Sequence, residues 1–279
     1  MIKIVTDSTC DLPQHYIDRY AITVVPIIIR FGETSYMDGV DIDPPTFYSM
    51  IEERQALPQT SQPSPGDFAQ VYRELGKITD HILSIHVTSK LSGTFHSAQM
   101  AAKMVQDEVT VTTFDSFGGS AGLGYMCVEA ARMVENGATI DEILTRLEHI
   151  RAEVNIFMTL ADLRFAQMSG RVGRLQGTLA ALLNVKPLIA LQDGVIEVVE
   201  QVRTRRRVLN RMLALTAEHV GDNVVNLSVI HAQARQEAEK LFDRAREALR
   251  CQESYIHELG LGLAVNLGPG TLGIVTYRV

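Results

Sequence analysis

The sequence predicts an α/β protein of two domains, and three observations lead to this class. Strand-like apolar runs alternate with helix-like segments through the first half, which is typical of a parallel sheet covered by helices. The second half carries six strand-like runs, two of them joined by a tight turn, so it mixes antiparallel and parallel pairing. A length of 279 residues suits one large domain or two ordinary ones. We place the boundary near Ala152, which predicts domains of residues 1–152 and 153–279.

The first domain is predicted from hydrophobic periodicity and from a helix-start signal. Ser64 suits the N-cap of a helix, Pro65 its first turn, and Asp67 its positive end. The order of the elements predicts a parallel sheet. The other predicted elements are strands at Ile2–Thr6, Ile82–Val87 and Val109–Phe114, an extended run at Val24–Phe31 that is broken by Pro26, and helices at Thr46–Arg54, Thr94–Val105, Ala121–Asn136 and Ile140–Ile150.

The second domain is predicted as a mixed six-stranded α/β domain. Gln192-Asp193-Gly194 forms a turn signal between two strand-like runs, so we expect a hairpin there. The predicted strands are Val154–Leu160, Val185–Leu191, Val195–Gln201, Val224–Ile230, Ser254–Glu258 and Gly273–Tyr277, and the predicted helices are Asp162–Met168, Arg205–Val220 and Ala234–Arg250.

Composition excludes several classes of function. The chain is 46% apolar and carries a net charge of −7 with a pI near 5.6, which disfavours nucleic-acid binding. Its apolar runs are too short to cross a bilayer, and the N-terminus begins with a strand-like run instead of a signal peptide. Cys10, Cys127 and Cys251 are far apart and lack metal-ligand spacing. We therefore expect a cytoplasmic protein with reduced cysteines, no metal site and no cofactor.

Polar clusters follow three of the predicted strands. They are Asp7–Thr9, Ser89–Thr94 and Asp115–Ser120. Ligands of open parallel sheets bind beyond the carboxyl ends of the strands, where helix starts also offer N–H groups to an anion. Ser, Thr and Asp are also the usual helix caps, so for each cluster capping alone stays an alternative.

Ser92-Gly93-Thr94 is the best candidate for a ligand contact. Gly93 permits close approach of a ligand to the backbone, and Ser92 supplies a hydroxyl donor. Thr60 and Ser61, in a segment predicted as a loop, supply a second pair of hydroxyls. Neither cluster has the lysine of a P-loop, so the sequence does not predict that kind of ATP site.

A serine hydrolase is the alternative function. Residues Gly118–Gly122 match G-x-S-x-G with Ser120 as nucleophile, and Asp162, His231 and His257 are candidate partners. The elbow requires a strand that runs straight into the turn, whereas three residues intervene here. A tightly packed, small-residue helix start explains the same pattern, and Asp7 and Asp11 are better explained as a turn and a cap.

Two arginine segments and one glycine-rich segment complete the candidates. Arg171 lies in a Gly-Arg-x-Gly loop, and Arg203–Arg207 with Arg211 forms a dense basic cluster in an acidic protein. Solvated surface explains both, but the loop could also aim the Arg171 guanidinium inward, and the basic cluster could dock phosphate or an acidic partner. Asn266 precedes a Gly-Pro-Gly turn before the last strand. Gly260-Leu261-Gly262 fits only the start of a dinucleotide fingerprint.

Taken in order, these segments resemble the DegV family of bacterial fatty-acid-binding proteins. The segments are IVTDSTCDLP, TSQPSPGDF, SKLSGTFHSA, FDS…GLG, SGRVG, KPLIALQDGVIEVVEQVRTRRR and NLGPGTLGIV. The resemblance covers nearly the whole chain. It implies a two-domain DegV-like fold with an acyl chain buried between or within the domains. It also implies a carrier, not an enzyme, that presents the acid to a fatty acid kinase as its non-catalytic subunit.

The resemblance also implies roles for individual residues. Thr60, Ser61, Ser92, Gly93 and Thr94 match the hydroxyl elements that would hold the carboxylate. Asn266 stands where many members have histidine, and its amide can bond a carboxyl oxygen but carries no charge.

For the arginines, the resemblance implies a place at the headgroup entrance or in partner docking, and the matching residues are Arg171, Arg203 and Arg205. It leaves peripheral or transient membrane contact open.

Overall fold

The computed structural model describes residues 2–54, 56–171 and 185–279. The chain forms two compact units, here called the N-terminal unit (Met1–Ala152 with Gly260–Gly262) and the C-terminal unit (Glu153–Leu259 with Leu263–Val279). The boundary near Ala152 stays a prediction for domains that fold independently. The return of the chain to the N-terminal unit at Gly260–Gly262 was not predicted.

The N-terminal unit is built on a four-stranded sheet in the order β2-β1-β6-β7, whose pairs are all parallel as predicted. Apolar residues of α3 and α4 pack on it. A 3-10 turn follows β1 at Ser8–Cys10. The elements are β1 (Lys3–Asp7), α1 (Gln14–Tyr20), β2 (Thr23–Val25), β3 (Ile28–Phe31), β4 (Thr34–Met37), α2 (Pro44–Arg54), β5 (Gln59–Ser61), α3 (Pro65–Gly76), β6 (His81–His86), α4 (Thr94–Met104), β7 (Thr110–Asp115), α5 (Ser120–Glu135) and α6 (Ile140–Glu153).

A second, antiparallel sheet in this unit was missed by the sequence analysis. It has the order β4-β3-β5. The extended run Val24–Phe31 has its predicted break at Pro26, but its two halves join different sheets as β2 and β3, which was not predicted. Proline has no N–H for a sheet ladder, which explains the break.

The helix start predicted at Ser64 is confirmed. The Ser64 side chain accepts from the N–H of Asp67, and the Asp67 carboxylate accepts from the N–H of Ser64. This reciprocal capping box satisfies two N–H groups at the start of α3 and fixes the segment that follows β5.

The C-terminal unit contains a six-stranded mixed sheet in the order β10-β9-β8-β13-β11-β12. Strand β11 runs parallel to β12 and antiparallel to β13, and the predicted hairpin joins β9 to β10 through Asp193 and Gly194. The elements are β8 (Asn155–Thr159), α7 (Leu163–Ser169), β9 (Lys186–Gln192), β10 (Val195–Val202), α8 (Arg205–Val220), β11 (Val224–His231), α9 (Arg235–Ala248), β12 (Arg250–Glu258), α10 (Leu261–Leu267) and β13 (Leu272–Arg278).

Two boundaries in this unit differ from the prediction. Helix α9 ends at Ala248, and β12 starts at Arg250, which was predicted to be helical. Helix α10 was not predicted. None of the helices in the described part of the chain has the length and apolar character that crossing a membrane requires.

Candidate functional site

The hydroxyls of Thr60 and Ser61 are held on a strand, not on the predicted loop. Both residues belong to β5, where Thr60 pairs with Ile29 and Ser61 with Ile28 of β3. Both are partly buried. The strand forms through its partner β3, so the two hydroxyl groups have a fixed register.

Ser92 and Thr94 form a local network at the start of α4. The two side-chain oxygens lie 2.8 Å apart, and the Ser92 hydroxyl also accepts from the N–H of Thr94 at 3.3 Å. Thr94 is fully buried, whereas Ser92 is partly exposed. The N-cap of α4 is Gly93, and no side chain caps the helix, so the Ser92 hydroxyl forms a local turn with Thr94 instead of the predicted cap.

The structure brings the two hydroxyl clusters together through Gln62. A Cβ atom placed on Gly93 would lie 2.8 Å from Nε2 of Gln62, so the glycine backbone is in close contact with that amide. Gln62 directly follows Ser61 in the chain. The sequence analysis missed this residue, and its only signal was its place beside the Thr60–Ser61 pair.

Asp7 lies in a buried hydrogen-bond chain in the core of the N-terminal unit. Its carboxylate lies 3.0 Å from Nδ1 of His86, whose Nε2 lies 2.7 Å from the Ser84 hydroxyl. The Ser84 oxygen is in turn 2.8 Å from the hydroxyl of Tyr72. Burial raises the pKa of Asp7, but hydrogen bonds from His86, Thr9 and the Val87 N–H outweigh it, so the pKa falls below its ordinary value.

This chain of hydrogen bonds has the composition of a Ser-His-Asp triad but not its accessibility. Ser84, His86 and Asp7 are each fully buried. A nucleophile must reach a substrate, so the arrangement is structural. Asp7 also accepts from the N–H of Thr9, which confirms its predicted role as a cap.

Ser120 does not have the partner that the hydrolase alternative requires. Its hydroxyl donates to Oδ2 of Asp11 at 2.6 Å, and both residues are buried. Burial raises the pKa of Asp11 to about 8, against the hydrogen bonds from Ser120 and from the N–H of Gly260. A carboxylic acid of that pKa in place of an imidazole does not form the predicted nucleophile–base pair.

The alternative explanation of this glycine-rich stretch fits the structure. A Cβ on Gly124 would lie 2.6 Å from the carbonyl oxygen of Cys10, so α5 packs directly on the turn after β1. Another of the proposed hydrolase partners, His231, makes no hydrogen bond through either ring nitrogen to the residues that the structure describes.

The arginine candidates differ in what they contact. Arg171 is exposed, and its Nη1 donates to the carbonyl of Ser169 at 2.6 Å. The rest of its predicted loop, residues 172–174, lies outside the described residues. Arg203 is exposed, whereas Arg205 is partly buried and donates through Nη2 to Glu237 at 2.9 Å and to the carbonyl of Gly270 at 2.7 Å.

Asn266 lies in helix α10, which the sequence analysis did not predict. It belongs to the C-terminal unit, whereas the hydroxyl clusters belong to the N-terminal unit. The tight approach predicted for the following turn is confirmed. Gly268 and Gly270 have φ of 79° and 76°, and a Cβ on Gly268 would lie 2.6 Å from the ring of Phe165.

The chain matches known proteins over its whole length. A sequence model of the DegV family, described as uncharacterised, matches residues 1–279. Protein DegV of Bacillus subtilis strain 168 is 34% identical over 275 residues, covering 98% of both chains.

Similar solved structures are described as fatty-acid-binding proteins. A DegV family protein from Thermus thermophilus is 34% identical with a TM-score of 0.94, and it covers 100% of this chain and 99% of its own. DegV from Bacillus subtilis is 32% identical with a TM-score of 0.92 and the same coverage. A stearic-acid-binding protein from Eubacterium ventriosum is 28% identical with a TM-score of 0.92, covering 100% of this chain and 98% of its own. The chain therefore belongs to the DegV family.

Proposed function

We propose that this protein binds a long-chain fatty acid and that uncharged hydroxyl and amide donors hold its carboxylate. The observation that carries the proposal is the contact between Gly93 and Gln62, which joins Thr60 and Ser61 to Ser92 and Thr94. The fatty-acid-binding relatives support the class of ligand.

The energetics favour such a ligand. Each buried methylene contributes roughly 0.8 kcal/mol, so a long acyl chain gains on the order of 10 kcal/mol before ordering costs. An unpaired carboxylate removed from water costs several kcal/mol. Two or three hydroxyl or amide donors at a helix start offset this cost without a permanent countercharge.

The local hydrogen bonds of Ser92 are compatible with ligand binding. A hydroxyl has two acceptor lone pairs and one proton. When the Ser92 oxygen accepts from the N–H of Thr94 and from the Thr94 hydroxyl, both lone pairs are used and its proton is left to donate. A carboxylate accepts that proton, so the contacts with Thr94 also orient the donor.

We extend the proposal to the remaining candidates. In the C-terminal unit, the Asn266 amide is the candidate donor to a carboxyl oxygen. Arg171, Arg203 and Arg205 are assigned to the headgroup entrance or to partner docking. In this role the protein is a carrier that presents the acid to a fatty acid kinase for acyl-phosphate formation.

Ligand binding is tested by delipidating the protein and titrating it with palmitate or oleate. We expect the double variant Ser92→Ala with Thr60→Ala to lose roughly 1–4 kcal/mol of binding free energy through lost donors. Ser49→Ala, an exposed hydroxyl in α2, is the matched control and should bind as the wild type does. Unchanged affinity in the double variant removes these residues from the site, and no binding by the wild type refutes the function.

Partner docking is tested separately with a purified fatty acid kinase and ATP. Charge reversal at the exposed Arg203 and Arg206 should lower acyl-phosphate formation while fatty acid affinity is retained. Lys103→Glu reverses an exposed charge in the N-terminal unit and serves as control. Equal turnover in all variants would contradict docking through the basic cluster.

A further inference from the structure

The polar cluster at the end of β7 lies against the loop that carries Ser92. This loop, residues 87–93 between β6 and α4, is here called the Ser92 loop. Strands β6 and β7 are neighbouring parallel strands, and His86 at the end of β6 pairs with Asp115 at the end of β7. The segments that follow the two strands therefore leave the sheet at the same edge.

Two consecutive N–H groups of the Ser92 loop donate to the end of β7 and to the segment after it. The N–H of Thr88 donates to the carbonyl of Gly118 at 2.9 Å. The N–H of Ser89 donates to the Asp115 carboxylate, at 3.2 Å to Oδ1 and 3.3 Å to Oδ2. Because a bond to a carboxylate is stronger than one to a carbonyl, we expect Asp115 to contribute more to fixing the loop.

The position of Ser92 follows from the position of Thr88. The carbonyl of Thr88 accepts from the N–H of Leu91 at 3.3 Å and from that of Ser92 at 3.1 Å. The Thr88 hydroxyl accepts from the N–H of Lys90 at 3.3 Å. These bonds tie the turn together, so a displacement of the main chain at Thr88 or Ser89 also moves the Ser92 hydroxyl.

The Asp115 carboxylate binds both segments at once. Its Oδ1 also accepts from the N–H of Phe117 at 3.2 Å, and the Asp115 carbonyl accepts from Nη1 of Arg151 at 3.1 Å. An aspartate that only forms a local turn binds the N–H two residues further on, which here is that of Phe117. Turn formation therefore does not account for the second bond, from Ser89 in a different loop.

The ring of Phe117 makes another connection to the Ser92 loop. The Lys90 ammonium lies 4.8 Å from the ring centroid, and the Arg151 guanidinium lies at the same distance. Phe117 has a φ of 50°, in the left-handed region that is rare for a bulky side chain. Such a conformation is unfavourable and persists only where the surroundings impose it. The ring thus contacts both the loop and helix α6 in spite of a local backbone cost.

We propose that Asp115 and Phe117 are positioning residues for fatty acid binding, which fix the Ser92 loop and with it the direction of the Ser92 hydroxyl. The inference rests on the proposed function and stays within the N-terminal unit. A carboxylate repels an anionic headgroup, so Asp115 does not bind the ligand itself. It acts through the main chain of the loop, and Phe117 acts through Lys90.

The experiment is a double-mutant cycle that measures the oleate affinity of the delipidated full chain. Ser92→Ala should weaken binding about 10-fold, because a donor to a charged group is lost. Asp115→Ala should weaken binding about 5-fold, and in the Ser92→Ala background the same change should have less than about a 2-fold effect. Asp115→Asn keeps one acceptor oxygen for the two N–H groups, so its loss should be smaller than that of Asp115→Ala.

Asp43→Ala is the matched control. Asp43 is an exposed acid of the same unit whose carboxylate also accepts from a main-chain group, the N–H of Thr46 at 2.9 Å. This variant should bind oleate as the wild type does. Circular dichroism and a thermal melt establish that each variant is folded.

The positioning role and the proposed function can fail separately. Equal losses from Asp115→Ala in both backgrounds, or unchanged affinity in the folded variant, overturn the positioning role. If Asp115→Ala does not fold, Phe117→Gly removes the ring and suits a φ of 50°, and its loss must likewise vanish without the Ser92 hydroxyl. A Ser92→Ala variant that binds as the wild type does overturns the Ser92 donor and the positioning role together. Oleate binding by the wild type that Ser92→Ala weakens keeps the proposed function valid in the other cases.

Discussion

Replacing Asp11 with asparagine should stabilise the protein relative to the wild type, and increasingly so as the pH rises from 6 to 8. Burial raises the pKa of this carboxyl to about 8 in the folded chain. In the unfolded chain its pKa is about 4. The folded state therefore holds a proton that the unfolded state has released, and the wild type loses stability as the pH rises through this window. Asparagine keeps the shape of the side chain and has no proton to lose.

The magnitude follows from the linkage relation. One proton taken up on folding changes the free energy of unfolding by about 1.4 kcal/mol per pH unit. Between pH 6 and the folded pKa near 8, the advantage of the variant should grow by on the order of 2 kcal/mol. Above pH 8 both states of the wild type are ionised, so the difference should level off.

The assay is urea denaturation of both proteins at pH 6, 7 and 8, with the difference in the free energy of unfolding compared at each pH. Asp43→Asn is the control. Asp43 is exposed, and its pKa is lowered by hydrogen bonds from the Thr46 side chain and N–H, so it titrates well below this range. Its difference from the wild type should be the same at all three values. A difference for Asp11→Asn that stays constant or shrinks from pH 6 to 8 would refute the reasoning.

Three further substitutions test the packing and capping contacts. Ser64→Ala removes the N-cap of α3 and should lower the free energy of unfolding, measured by urea denaturation, by about 1 kcal/mol. Ser64→Asp should retain most of the stability that the cap contributes. Gly124→Ala places a methyl group 2.6 Å from the Cys10 carbonyl, so thermal melts should show a loss of roughly 1–3 kcal/mol, and an unchanged melting temperature would contradict that contact. His86→Ala leaves the buried Asp7 carboxylate without its main partner and should cost about 3–5 kcal/mol, with a loss below about 1 kcal/mol arguing against a charged Asp7.

The parallel sheet and the main helices could be predicted because their signals are local. The strand at His81–His86 contains the apolar residues Ile82, Leu83 and Ile85 in a short β-rich run that precedes a polar turn. Ser64, Pro65 and Asp67 encode the start of α3 within four residues. Such patterns need no knowledge of the rest of the chain.

The short strand β5 could not be predicted in this way. Gln59–Ser61 is three residues long and polar, and it is extended because β3 offers it a partner. The same holds for Asn266, whose helix starts at glycines because distant carboxylates bind the N–H groups there. Tertiary contacts therefore determine the secondary structure of both segments, against the preference of their local composition.

The candidate site shows the same limit in a sharper form. The sequence names Thr60 and Ser61 in a predicted loop, and Ser92 and Thr94 in a cluster for which helix capping alone is an alternative. A hydroxyl that binds a ligand differs from one that only caps a helix because independent donors converge with it on one place. The contact of Gly93 with Gln62 supplies that convergence within the N-terminal unit, and only the fold could supply it.

A variant that keeps every hydroxyl but moves the Gln62 amide therefore tests whether this convergence matters for binding. Gly93→Ala should displace Gln62 and weaken oleate binding while α4 stays intact, since Gly93 has a helical φ of −77° that alanine adopts without strain.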